Sequence, residues 1–321
     1  MEQTVAHFNI LERLGVGSLG EVYRARDTKV GRTIALMVPP RDLSSDDRRR
    51  EQFLRHARAA MSLNHPNIAM LFDVVEVDNR LYLAYEFAAG PSLRQEIGDK
   101  PVNMRRAIEL AAQVADALAE GHAQGFVHGD IRPENIVVTS KGSAKILNFG
   151  MVPWTSGGAA RQRAVISPGT LIGQEIEVAG YLSPEEALGR DIDARGDLFS
   201  LGTVLYEMLT GRNPFVTPAP GSTVRNVIDM TPLPVAVMDS EFPLELDTIV
   251  SRAMSKDAAA RYQNAAMIAS DLRKIAVALD VQSGDVVPAP LIPIEEDRRG
   301  GRWWIALLVA AGAATAWWYW R

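Results

Sequence analysis

The spacing of apolar residues changes once along this chain, and that change limits the folds open to it. Up to about residue 90 the pattern is mostly that of strands. "FNILERLG" (8–15) runs into a glycine cluster and "EVYRARD" (21–27) leaves it, alternating on the far side as a β-hairpin does. "RTIALMVP" is a further strand, ended by Pro39-Pro40, and "LYLAYEF" is another. Within this half, residues 46–63 carry helical spacing. From Asn103 onward the apolar residues recur every three or four positions. "NMRRAIELAAQVADALAEGHAQG" closes on Gly125, and "DLFSLGTVLYEMLTG" and "AAMIASDLRKIAVAL" follow as helices. A β-rich front and an α-rich back imply an α+β protein with two lobes.

Composition removes several functions. The net charge of −5 leaves no broad basic field, so no nucleic-acid partner is expected. The chain has no cysteine, which excludes disulfides, thiolate metal sites and cysteine nucleophiles. Charges run through the first residues, so no signal peptide is expected. Residues 281–300 hold prolines, acids and glycines without periodicity and read as a linker. Beyond them, Trp303 to Trp320 is uncharged, with tryptophans at both ends. As a helix it would span about 27 Å, close to the ~30 Å hydrocarbon core of a bilayer. Arg298, Arg299 and Arg302 precede it, so the positive-inside rule places the larger domain in the cytoplasm. Ala306, Ala310 and Ala314 form a small-residue stripe, a pattern that pairs helices and would make the chain a homodimer.

Gly15-x-Gly17-x-x-Gly20 lies between two strands, not between a strand and a helix, which argues against a dinucleotide fold. Downstream, in order, come "HGDIRPEN" (128–135), "NFG" (148–150), "SPE" (183–185), "DLFSLG" (197–202) and Arg261. Together with "GVGSLGEVY" these motifs resemble the protein kinase family, and most of all the bacterial Ser/Thr kinases of the eukaryotic type. The resemblance covers residues 8–275. It implies a bilobal kinase-like fold; composition and hydropathy make residues 276–302 a juxtamembrane linker and 303–320 a transmembrane helix. It further implies that Gly15, Gly17 and Gly20 approach the phosphates of ATP, and that Val22 and Ala35 roof the base. Tyr85, Glu86 and Ala88 fall on the hinge that bonds the base. Asp130 matches the catalytic base, Asn135 a metal ligand, and Arg132 stands where a catalytic-loop lysine is usual. Glu185 and Arg261 match a structural ion pair, Asp197 a brace beneath the catalytic loop, and His128 a core position beside it.

The departures from the family pattern fall at the charged positions. The strand lysine that holds phosphates is Met37, its helix glutamate partner is His56, and the metal-binding aspartate is Asn148. An amide oxygen ligates Mg²⁺ without adding charge, and hard cations favour carboxylates; weak or absent metal binding is expected. Lys29 and Arg32 are expected on a solvent-facing turn, which leaves Arg24 or Arg26 as substitutes for the lysine. Gly129 replaces an arginine that answers phosphorylation, so Thr155, Ser156, Ser167 and Thr170 lack their usual partner. Val178 stands where a hydroxyl residue is usual. The expectation is a membrane-anchored kinase fold, catalytically impaired, serving protein partners and still binding nucleotide. The alternative is an active Ser/Thr kinase with a rewired site.

Overall fold

The computed structural model describes residues 3–17, 20–40, 47–151, 171, 173–219 and 221–283. The front half forms one antiparallel sheet of six strands in the order β1-β2-β3-β4-β6-β5. These are β1 (Gln3–Val5), β2 (Phe8–Gly17), β3 (Gly20–Asp27), β4 (Arg32–Val38), β5 (Leu71–Val77) and β6 (Arg80–Glu86). β2 and β3 make the expected hairpin, with Gly17 opposite Gly20. Gly20 has φ 127°, and a Cβ there would lie 2.2 Å from the Val38 carbonyl oxygen, so this position admits only glycine.

The registers decide what faces the interior. Val22 sits opposite Met37, and Ala35 opposite Tyr85, so these four share one face of the sheet. The other face packs Phe8, Ala25, Ile34, Leu36 and Ala84 into a separate small core. Helix α1 (Asp47–Ala60) turns Phe53, Ala57 and Ala60 toward the first face, at i, i+4 and i+7. Arg32 corrects one expectation: it opens β4, pairs with Asp27 at 3.3 Å and lays its guanidinium over Phe72, 3.5 Å from the ring centre.

The back half is helical. Short α2 (Leu93–Ile97) begins with a Ser92–Gln95 capping box. Helix α3 (Met104–Ala123) is capped by Asn103, whose side chain accepts from the Arg106 N–H. It packs against the helix Ala194–Thr210, which is buried on nearly all sides, is capped by Asp193 and starts three residues earlier than its apolar pattern suggests. A 3-10 turn (Pro133–Asn135) leads into a two-stranded ribbon, β7 (Ile136–Val138) with β8 (Ala144–Ile146). The last described helix, Ala265–Ser283, runs four residues past its sequence pattern. Contacts divide the chain into Met1–Leu279 and Asp280–Arg321. Among the described residues no helix is long and apolar enough to cross a membrane. The segment Trp303–Trp320, its alanine stripe and the four Ser/Thr positions of the 155–170 loop lie outside the described residues.

Candidate functional site

A pocket of about 200 Å³ opens between the sheet and the β7–β8 ribbon. Leu14, Gly17, Val22 and Ala35 line it from the sheet; Tyr85, Glu86, Phe87 and Ala88 form its edge; Val137 and Leu147 form its floor. Of the residues singled out in the sequence, Gly17, Val22, Ala35, Met37, Tyr85, Glu86, Ala88, Asn135 and Asn148 meet here, whereas Gly15, Gly20, His56, Asp130 and Arg132 do not line it.

Met37 is 8% exposed and packs in an apolar cluster with Phe53, Ala57, Leu83, Tyr85 and Met151. A thioether there accepts no ion pair and gains its contacts from dispersion. His56 does not face Met37. It is exposed, its Nδ1 lies 3.1 Å from the Gln52 carbonyl oxygen, and it borders an open groove with Val127 and Gly150. Phe53 and Ala57, both buried, take the inner face of α1. Arg24 is held 2.9 Å from Glu12, and neither it nor Arg26 lines the pocket, so neither replaces the lysine.

Beside the pocket, Asp130 is fully buried. Its Oδ2 accepts from Asn135 Nδ2 at 2.8 Å, and Arg132 Nε stands 3.1 Å from Oδ1, in ion-pair range but without hydrogen-bond alignment. The loop is held from below by Asp197, whose carboxylate accepts from the N–H groups of His128 (2.8 Å) and Gly129 (2.7 Å) and sits 2.7 Å from His122 Nε2. Burial pushes the Asp197 carboxyl up, but the His122 and backbone hydrogen bonds outweigh it and hold it below the usual carboxylate range. His128 has the structural place expected: buried, hydrogen-bonded between Leu147 O and Asp130 N, and edge-on to Phe149 at 5.0 Å. Val178 is buried and gives the loop no hydroxyl.

Asn148 adopts φ 61°, an αL conformation that asparagine tolerates. Its Nδ2 lies 3.5 Å from Asn135 Oδ1, so the two residues that would hold a metal by the family pattern are neutral amides facing each other. Among the described residues no group of three or more His, Cys, Asp or Glu could hold a metal ion. A pair of neutral amides suits Mg²⁺ poorly, since it favours one or two carboxylates among its oxygen ligands. The walls are apolar, and among the described residues no lysine or arginine lines the pocket.

Four features were not legible in the sequence. Lys145 on β8 reaches Glu86 at 2.7 Å and neutralises the hinge carboxylate. Met151, just past Phe149-Gly150, is fully buried in the Met37 cluster. Arg94 joins Glu134 (2.7 Å) and Glu207 (2.6 Å), tying α2 to the catalytic loop and to the helix Ala194–Thr210. The Tyr85 hydroxyl is buried with no hydrogen-bond partner among the described residues, and burial pushes its phenol pKa well up. Such an orphan costs about 1–3 kcal/mol. No motif announces these contacts; those of Lys145, Met151 and Arg94 depend on residues brought together from distant parts of the chain.

A family model, "Protein kinase domain", matches residues 8–271. The serine/threonine-protein kinase PknB of Mycolicibacterium smegmatis is 34% identical over 299 residues, which cover 91% of this chain and 45% of the relative. A probable serine/threonine-protein kinase of Streptomyces coelicolor is 37% identical over 260 residues, 78% of this chain and 37% of the relative. The chain thus spans less than half the length of these relatives. Among solved structures, the PknI kinase domain of Mycobacterium tuberculosis superposes with a TM-score of 0.63 at 24% identity, covering 85% of this chain and 98% of that one, a likeness of fold.

Proposed function

We propose that this chain, which belongs to the protein kinase domain family, is a pseudokinase: a kinase fold that engages partners through its surface and does not transfer phosphate efficiently. The observation that carries this reading is the joint loss of charge at Met37, His56 and Asn148, in a site where no arginine or lysine lines the pocket among the described residues. Phosphoryl transfer depends on positioning and on charge stabilisation of the transferred group. Removing one such stabilising group from an enzyme costs about 10²–10³ in rate by comparison with oxyanion-hole donors, and here three positions have changed. The fold-bearing pieces persist: Asp197 under the loop, and Glu185 bidentate to Arg261 at 2.7 Å.

One observation favours the second reading, a working Ser/Thr kinase with a rewired site: Asp130 and Asn135 remain in hydrogen-bond contact. The two readings separate on phosphate incorporation. The full chain incubated with Mg-ATP or Mn-ATP is expected to incorporate no more phosphate than its Asp130→Asn variant. Incorporation that disappears in Asp130→Asn overturns the pseudokinase reading.

Residues 303–320 serve, in the same proposal, as a membrane anchor with the kinase fold in the cytoplasm; the run of uncharged residues flanked by tryptophans supports this.

A further inference from the structure

We propose that Lys256 is a lysine-acylation site, whose side-chain amine takes a short acyl group from an acyl phosphate that enters the pocket beside it. This goes beyond the pseudokinase reading and does not depend on it.

Lys256 follows the helix Leu244–Ala253 and lines a second pocket, of about 250 Å³. Its side chain is half-buried. Nζ donates to Val227 O at 2.6 Å and, more weakly, to Asn226 O at 3.4 Å, two carbonyls in the last turn of the helix Ser222–Asp229. It stands 4.2 Å from the centre of the Phe215 ring. A neutral amine has two N–H groups and one lone pair. The two carbonyls match the two N–H groups, and the electron-rich ring face turns the lone pair away from itself. The pocket that Lys256 lines is then the side from which an electrophile reaches the nitrogen.

The surroundings free that lone pair near neutral pH. Burial and, after it, the Arg261 guanidinium push the Lys256 pKa down to about 8; Asp229 acts in the opposite direction without cancelling them. Two other titratable groups line the pocket. The Asp247 carboxylate accepts from the Val235 N–H at 2.8 Å, and burial pushes the Tyr206 phenol up, so it carries no charge near neutral pH. A lysine that is desolvated and set beside another cation is an activated nucleophile. Leu233, Val235, Val250 and Met254 give apolar wall for a short acyl chain, and the hydroxyls of Thr231, Ser251 and Ser255 can donate to phosphate oxygens.

In the step itself Nζ attacks the acyl carbonyl carbon. The N–C bond forms, the C–O bond to phosphate breaks, phosphate leaves with that electron pair, and the surplus amine proton passes to it. The amide product keeps one N–H, enough for Val227 O. It loses the positive charge at the C-terminal end of the helix Ser222–Asp229, where a cation is favoured.

The test is incubation of the full chain with acetyl phosphate, with acetylation of each lysine followed by peptide mass spectrometry. At pH 7.5 Lys256 is expected to react about tenfold faster than the exposed Lys29, Lys100 and Lys141, because far more of its amine is uncharged there. Its rate is expected to level off above pH 8 while theirs keeps rising, and its lead is expected to vanish in urea, where the pocket is lost. The inference is overturned if Lys256 reacts no faster than the exposed lysines at pH 7.5, if its rate keeps climbing with theirs above pH 9, or if its lead survives in urea.

Discussion

Arg261 is fully buried, and its guanidinium is satisfied by both Glu185 oxygens and by the carbonyls of Ser255, Lys256 and Arg195. Burial pushes the Glu185 carboxyl up, but Arg261 outweighs it and holds it below the usual carboxylate range. The sign follows: this pair contributes its full stability above the ordinary carboxylate pKa and loses it as pH falls through the depressed folded value. Glu185→Gln leaves a buried cation without its countercharge, at a cost of about 3–5 kcal/mol. Urea denaturation at pH 7 should show that loss, and the difference between variant and wild type should shrink below pH 4. An equal difference at both pH values would mean that the carboxylate charge is not what holds Arg261.

At the scale of elements, the sequence disclosed what local pattern governs. The β2–β3 hairpin, α1 and α3 follow from periodicity, and α3 ends where Gly125 takes φ 81°. The site was legible where a motif carries its own neighbours: Asp130 and Asn135 lie five residues apart and touch, and Asp197 meets the loop as the family pattern implies. It was not legible where elements meet across the fold. His56 aligns with the helix glutamate, yet it is exposed while α1 packs Ala57 and Phe53 into the cluster with Met37. The same apolar surface accepts Met151, so a strand, a helix and the segment after Phe149 share one hydrophobic cluster where an ion pair would be expected. Phe149 fits only because Gly121 on α3 has no side chain: a Cβ there would lie 2.2 Å from its ring. His122, which belongs to no motif, supports Asp197 from that helix's last turn.

For the whole molecule, the kinase-like fold is retained while charge is withdrawn from its cleft, and these are separable because the fold rests on groups outside the pocket. The large core, the Asp197 brace and the Glu185–Arg261 pair need neither nucleotide nor metal. The anchor proposed for residues 303–320 is separate from that fold, and the proposal predicts that a chain ending at residue 300 leaves the membrane fraction and remains folded; if the shortened chain still pellets with membranes, the anchor proposal fails. The central claim concerns the cleft itself, that it carries no charge able to hold a metal–nucleotide complex. The most direct measurement is the ATP-induced shift in thermal midpoint, with and without Mg²⁺, for the wild type and for Asn148→Asp. The account predicts a small wild-type shift that is the same with and without Mg²⁺, and a Mg²⁺-dependent increase only where Asn148→Asp restores a carboxylate. A large Mg²⁺-dependent shift in the wild type would contradict it.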